Sequence, residues 1–365
     1  MARHARNPFL DRAVRRTLGA WTRSALRVGT KRLGRALRDA ARPSKSAATK
    51  RKVAASTPAR ARPLARAARA KPLGAPASLG ATTSGVATAA TGVRRYRLFK
   101  PDGVKASEHL PLVVMLHGCA QDADVFALSI RMNRLAQRAR FMVLYPEQDR
   151  LSNAQRCWNW YDTRSGRAPA EAAIIEAAIR QVLLLQPVDP SRIALAGLSA
   201  GAGMAALLAL REPARYCALA MHSGVPPGLA HSTATALGAM RGRRSGAPLA
   251  PLPDGQQLPA LLVIQGSADP IVAPSNAVEA VRLWAQNAGA TAGPPRTVQR
   301  GKRYAAHITD YRVGRRLVAT LCLVDELGHA WSGGAARQLY SDPKGPDASR
   351  MIWAFAAKQF GLVVA

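Results

Sequence analysis

The stretch RIALAGLSAGAGMAALLAL, Arg192 to Leu210, decides how the rest of the chain is read. Its first half is a short apolar run; its second half is rich in Ala and Leu, residues that helices favour. Between the halves one serine, Ser199, stands between Gly197 and Gly201, with Gly203 beyond. A strand turning sharply into a helix at such a segment lifts the serine hydroxyl clear of the sheet, and the glycines leave room where side chains would collide. The helix start adds N–H donors and a dipole that favour a developing oxyanion. Small residues also suit ordinary close packing of a helix on a strand, so the motif alone is weak and needs partners elsewhere.

Working outward, similar apolar runs recur: LPLVVMLHG (110–118), FMVLYPEQ (141–148), CALAMHSG (217–224), LPALLVIQG (258–266) and RLVATLCLVDELGH (316–329), with RRYRLFKP before them. Continuous rather than alternating apolarity suits strands covered on both faces. Between them lie helical patterns, among them RMNRLAQRAR, PAEAAIIEAAIRQVLLL and SNAVEAVRLWAQNAG. Strands alternating with helices predict an α/β domain with a mostly parallel, doubly wound sheet over residues 91–365. The 70 residues from Ser199 to Asp269 must hold a helix and a strand, which leaves about 30 residues for a loop or one short helix, and no large lid domain.

A serine hydroxyl is inert without a base, and the base needs an orienting carboxylate. In an α/β-hydrolase the order is Ser, acid, His. His329 follows the last strong strand in a Gly-rich loop and is the candidate base. His222 ends a strand but precedes any suitable acid, so it reads as a structural or wall residue; His231 and His307 lie in polar, unpatterned segments and read as exposed. Asp269, directly after the run LPALLVIQG, is the candidate acid. Asp325 is its rival but lies four residues before His329, and Asp254 and Asp310 have no strand before them. The amide of Cys119, after His117-Gly118, can join that of Ala200 in an oxyanion hole. Trp158, Trp160, Tyr161 and Trp331 are candidate cleft aromatics, with core packing as the alternative. The triad chemistry needs no metal and no organic cofactor. The four cysteines are far apart and show no CxxC spacing, which argues against a zinc site; their even number permits disulfides.

These segments also resemble the polyhydroxybutyrate depolymerase family of esterases, which has feruloyl and acetylxylan esterase relatives. The likeness runs from about Tyr96 to Phe360 and rests on LHGCAQDADVF, YPEQ with CWNWYD, GLSAGAGM, HSGVP, QGSADPIVAP, GHAWSGG and DPKGPDASRMIWAF. It implies Ser199 as nucleophile, Asp269 as acid, His329 as base, Cys119 at the oxyanion position and a Cys119–Cys157 disulfide. It implies ester substrates, polyester of the poly(3-hydroxybutyrate) type first, plant cell-wall esters as the alternative, and an extracellular setting.

Charge is the other feature. The 365 residues carry 53 Lys and Arg against 21 Asp and Glu, net +32, and residues 1–75 alone hold 21 Lys and Arg against two Asp, net +19. Residues 1–90 read as a basic Ala- and Arg-rich region: a basic amphipathic helix over 11–40, with Val14, Leu18, Trp21, Ala25, Val28, Leu33 and Leu37 near helical spacing, then a disordered linker. Such a helix suits contact with an anionic surface, whether granule, membrane or nucleic acid, without base-reading specificity. A granule-, membrane- or nucleic-acid-associated protein using the hydrolase domain as a scaffold is therefore the reading of another class. No run of 18 apolar residues predicts a membrane span, and Arg and Lys interrupt every apolar run of the N-terminus, so no cleavable signal is expected. That leaves a cytoplasmic or granule-associated setting beside the extracellular one.

Overall fold

A computed structural model describes residues 80–253 and 255–363, which fall in one unit, Leu79–Ala365. The helix expected over 11–40 and the linker up to residue 79 lie outside the described residues. The first strand comes earlier than the boundary expected at residue 90. β1 (Ala81–Ala89) and β2 (Gly92–Lys100) form an antiparallel hairpin, Ala81 opposite Lys100 and Ala89 opposite Gly92. β1 thus lies within the stretch that was read as linker. ATTSGVATA shows no apolar pattern, yet its Thr and Val side chains suit a mostly exposed outer strand.

The remaining elements alternate. β3 (Leu110–Leu116) precedes α1 (Ala123–Ile130) and α2 (Met132–Ala139); β4 (Met142–Pro146) precedes α3 (Arg167–Leu185). β5 (Val188–Leu198) runs into α4 (Ala200–Arg211), β6 (Ala218–His222) precedes α5 (Thr233–Met240), and β7 (Ala260–Gly266) precedes α6 (Ser275–Ala288). Two short strands, β8 (Thr291–Ala292) and β9 (Arg296–Val298), lead to β10 (Ala306–Val313) and β11 (Arg316–Val324). β12 (Trp331–Ser332), β13 (Ser341–Asp342) and α7 (Ala348–Gln359) close the fold.

The main sheet has the order β1-β2-β4-β3-β5-β6-β7-β11-β10-β8, with β9 also on β10. Its centre, β4-β3-β5-β6-β7-β11, is parallel throughout. All seven residues of β3 are buried, and they alternate between two cores. Leu112, Val114 and Leu116 join Ile175, Met204 and Trp284 on one face; Val113 and Met115 join Phe126, Phe141 and Trp353 on the other. Helices α3, α4 and α6 thus cover one face and α1, α2 and α7 the other, which is why the central strands read as unbroken apolar runs. Asp310 was read as having no strand before it; it lies within β10, whose sequence AHITDYRV is half-exposed and carries no apolar run. Among the described residues no helix is long and apolar enough to cross a membrane, and no group of three or more His, Cys, Asp and Glu is placed to hold a metal ion.

Candidate active site

The candidate residues come together because parallel strands end at one edge of the sheet. Cys119 follows β3, Ser199 follows β5, Asp269 follows β7 and His329 follows β11, while His222 closes β6. These five strands are neighbours in the order β3-β5-β6-β7-β11, so loops spread over more than 200 residues meet in the region where open α/β sheets bind ligands.

Ser199 is the hinge between β5 and α4. Its φ of 55° and ψ of −118° are unusual for a residue with a side chain. Its N–H donates to His222 O at 2.8 Å. A Cβ on Gly197 would stand 2.4 Å from backbone atoms of Gly201, and one on Gly201 would stand 2.2 Å from Leu116 O. Both contacts are with backbone, so only glycine fits where α4 crosses the end of β3. Among the described residues the N–H groups of Cys119 and Ala200 donate to no protein acceptor, which leaves both free for an incoming oxygen.

Asp269 is buried and fully engaged. Oδ1 accepts from the N–H groups of Ile271 and Val272 at 2.9 Å each. Oδ2 accepts from His329 Nδ1 at 2.8 Å and from Gln265 Nε2 at 3.1 Å. Burial alone would raise this carboxyl, but the His329 hydrogen bond and charge, with the two N–H groups, outweigh it and hold Asp269 below the usual carboxylate range. A carboxylate only accepts, so a proton sits on His329 Nδ1, and Nε2 is the ring nitrogen that Asp269 does not engage. Ser199 Oγ and His329 Nε2 are not hydrogen-bonded in this structure, as is common before substrate aligns such a pair. The rival Asp325 turns elsewhere: its Oδ2 pairs with Nε2 of exposed His307 at 3.0 Å.

Two other histidines, His222 and His117, are held neutral by burial. His222 Nε2 accepts from Ser332 N–H at 3.1 Å, and burial lowers its pKa to about 3. Its ring stacks on Trp331 at 5.0 Å. It is thus a buried structural residue, one of the two roles read for it from the sequence. His117 Nε2 accepts from Gln148 N–H at 3.0 Å, so its Nδ1–H donates to Gly118 O at 2.8 Å. Burial lowers its pKa to about 4.

Two aromatic expectations are corrected. Trp158 and Trp331 have no exposed surface: Trp158 packs on His117, and Trp331 wedges between Phe126 and His222. Trp160 is 9% exposed and lies against Gly203 of α4. Only Tyr161, half-buried and edge-on to Trp160, keeps appreciable surface. Large rings beside strand ends are attractive core fillers, and the sequence does not distinguish that from a cleft wall. Tyr340, edge-on to the His329 ring at 6.4 Å, was not singled out from the sequence. Nor was Gln265, whose amide holds Asp269; it falls within an apolar strand, where a lone polar residue is the available signal. Cys119 and Cys157 are joined as a disulfide, as the family resemblance implied.

Strand order, the serine turn between β5 and α4 and the Asp269–His329 pair after β7 and β11 together define an α/β-hydrolase fold. An acetyl xylan esterase from Aspergillus awamori shares it, with a TM-score of 0.52 at 18% identity over 65% of this chain and 89% of that one. The family model for esterase PHB depolymerase matches residues 94–292, and the chain belongs to that family. It is 31% identical over 212 residues to poly(3-hydroxyalkanoate) depolymerase C of Paucimonas lemoignei, covering 53% of this chain and 49% of that protein. It is 26% identical over 215 residues to feruloyl esterase B of Neurospora crassa, covering 54% and 71%. The chain thus spans about half the length of the depolymerase it matches.

Proposed function

We propose that the protein is a serine esterase that hydrolyses carboxylic esters through Ser199, His329 and Asp269. The observation that carries the reading is the 2.8 Å His329–Asp269 hydrogen bond, at the same edge of the sheet as a serine held at positive φ. In this reaction His329 Nε2 takes the Ser199 proton as Oγ attacks the ester carbonyl. The amides of Cys119 and Ala200 stabilise the tetrahedral oxyanion, each worth roughly 100- to 1000-fold in turnover. His329 then protonates the leaving alcohol, and water enters by the same route to release the acid. Asp269 stays ionised and fixes the tautomer.

The substrate class is a polyester of the poly(3-hydroxybutyrate) type. The likeness to the Paucimonas lemoignei depolymerase supports this, as does the short segment between β6 and β7, where among the described residues the eight-residue α5 is the one helix. The feruloyl esterase likeness favours cell-wall esters as the second reading. The test is clearing of an amorphous poly(3-hydroxybutyrate) suspension by wild type and by S199A, beside turnover of methyl ferulate and an acetylated xylan. Clearing by wild type alone supports both nucleophile and polyester. Turnover of the aryl or acetyl ester without clearing moves the substrate to cell-wall esters. Equal activity in S199A sinks the serine mechanism.

A further inference from the structure

Behind the candidate oxyanion loop lies a buried polar cluster that the reaction above leaves unused. Glu171, on α3, is almost wholly buried. Its carboxylate accepts three hydrogen bonds, from Asn159 N–H at 2.8 Å, Asn159 Nδ2 at 2.6 Å and Gln148 Nε2 at 2.7 Å. Arg94 stands 3.8 Å away and donates through Nε to Gln148 Oε1 at 2.9 Å. A buried carboxylate is costly unless it is paired and hydrogen-bonded, and this one is satisfied by groups from three separate segments.

The cluster points toward the reaction centre through one residue. Gln148 Nε2 also donates to Cys157 O at 3.1 Å, and Gln148 N–H donates to His117 Nε2. With Nε2 accepting, the His117 proton must sit on Nδ1, where it binds Gly118 O. The Gly118 carbonyl and the Cys119 N–H belong to the same planar peptide unit. Fixing the carbonyl therefore fixes the direction of the amide that would meet the oxyanion. Cys157, the disulfide partner of Cys119, is held by the same glutamine.

We propose that Glu171 is a positioning residue for the oxyanion-binding amide of Cys119, acting through Gln148 and His117; this rests on the esterase reading above. Removing its carboxylate takes one partner from the Gln148 side chain, which keeps Arg94 and Cys157 O, and so loosens the Gly118–Cys119 peptide without touching substrate or triad. Such a peptide matters most when negative charge develops on the oxygen, so the loss falls on the transition state rather than on substrate binding.

The experiment measures turnover of a p-nitrophenyl ester by wild type, E171Q, Q148M and E171Q/Q148M. Functional sites are counted by stoichiometric labelling of Ser199 with an organophosphonate. Turnover per labelled site is expected to fall about 10- to 100-fold in each single variant, with KM within about twofold. Affinity for a trifluoromethyl ketone, whose adduct places an anion at the oxyanion position, should fall by the same factor. The double variant should be no slower than the worse single one, because both changes act along one route. A merely structural role would lower the melting temperature or the labelled fraction and leave turnover per site unchanged, and that result overturns the proposal, as do additive losses. Wild type that neither labels nor turns over would sink the esterase reading instead.

Discussion

Ser199 holds a backbone conformation that costs a residue with a side chain about 1–3 kcal/mol, and α4 and the neighbouring strands hold it there. Strain and chemistry therefore separate by substitution. S199A should lose essentially all turnover with little change in unfolding free energy, whereas S199G should lose turnover yet gain about 1 kcal/mol over S199A in denaturant unfolding. A glycine variant no more stable than the alanine one would mean that the elbow is not strained. D269N should cost on the order of 10⁴-fold in turnover, because an amide no longer fixes the proton on His329 Nδ1.

The buried histidines make a pH prediction. Folded pKa values of about 4 for His117 and about 3 for His222 lie below the unfolded value near 6.5. Their stability contribution is complete above that unfolded value, and it drains away as pH falls toward 4 and then 3, because the unfolded chain takes up protons that the folded one refuses. Melting temperature should drop between pH 6.5 and 4, and H222Q should flatten part of that slope; an identical slope in H222Q would remove His222 from the account.

The helix and strand elements carry a different kind of constraint. The crossing of α4 over β3 leaves no room at Gly201, so G201A should destabilise by more than about 2 kcal/mol, read from denaturant midpoints; a neutral effect would contradict the contact with Leu116 O. The disulfide ties the loop after β3 to the loop after β4, and C119S/C157S should cost about 2–4 kcal/mol in unfolding free energy. These elements also show what the sequence makes legible. β3, β5, β6, β7 and β11 announce themselves because burial on both faces demands unbroken apolarity, and Ser199, Asp269 and His329 are legible because each directly follows such a run. β1 and β10 stay hidden because outer antiparallel strands need no such run. Trp158 and Trp331 mislead because a ring at a strand end serves core and cleft alike, and the Glu171 cluster is invisible because Arg94, Gln148, Asn159 and Glu171 are distant in sequence and carry no shared pattern.

At the scale of the whole molecule, the described sheet begins at Ala81, so a chain starting at residue 80 should melt as the full chain does and keep soluble-ester turnover. A chain starting at residue 91 removes β1, bares β2 and strips a covering strand from α3; it should melt several degrees lower. Equal melting of the two truncations would favour the boundary at residue 90.

The outer edge of β1 has a consequence for handling the protein in solution. Among the described residues nothing pairs with that edge, and its nine residues contain neither a charge nor a proline, the usual guards against strand-to-strand docking between molecules. A formal charge of +32 makes two copies repel one another. Salt shortens the reach of that repulsion to about 3 Å at 1 M. The protein should therefore stay dispersed in dilute buffer and scatter light increasingly as salt is added, and a single lysine placed on the edge, T82K, should delay the rise.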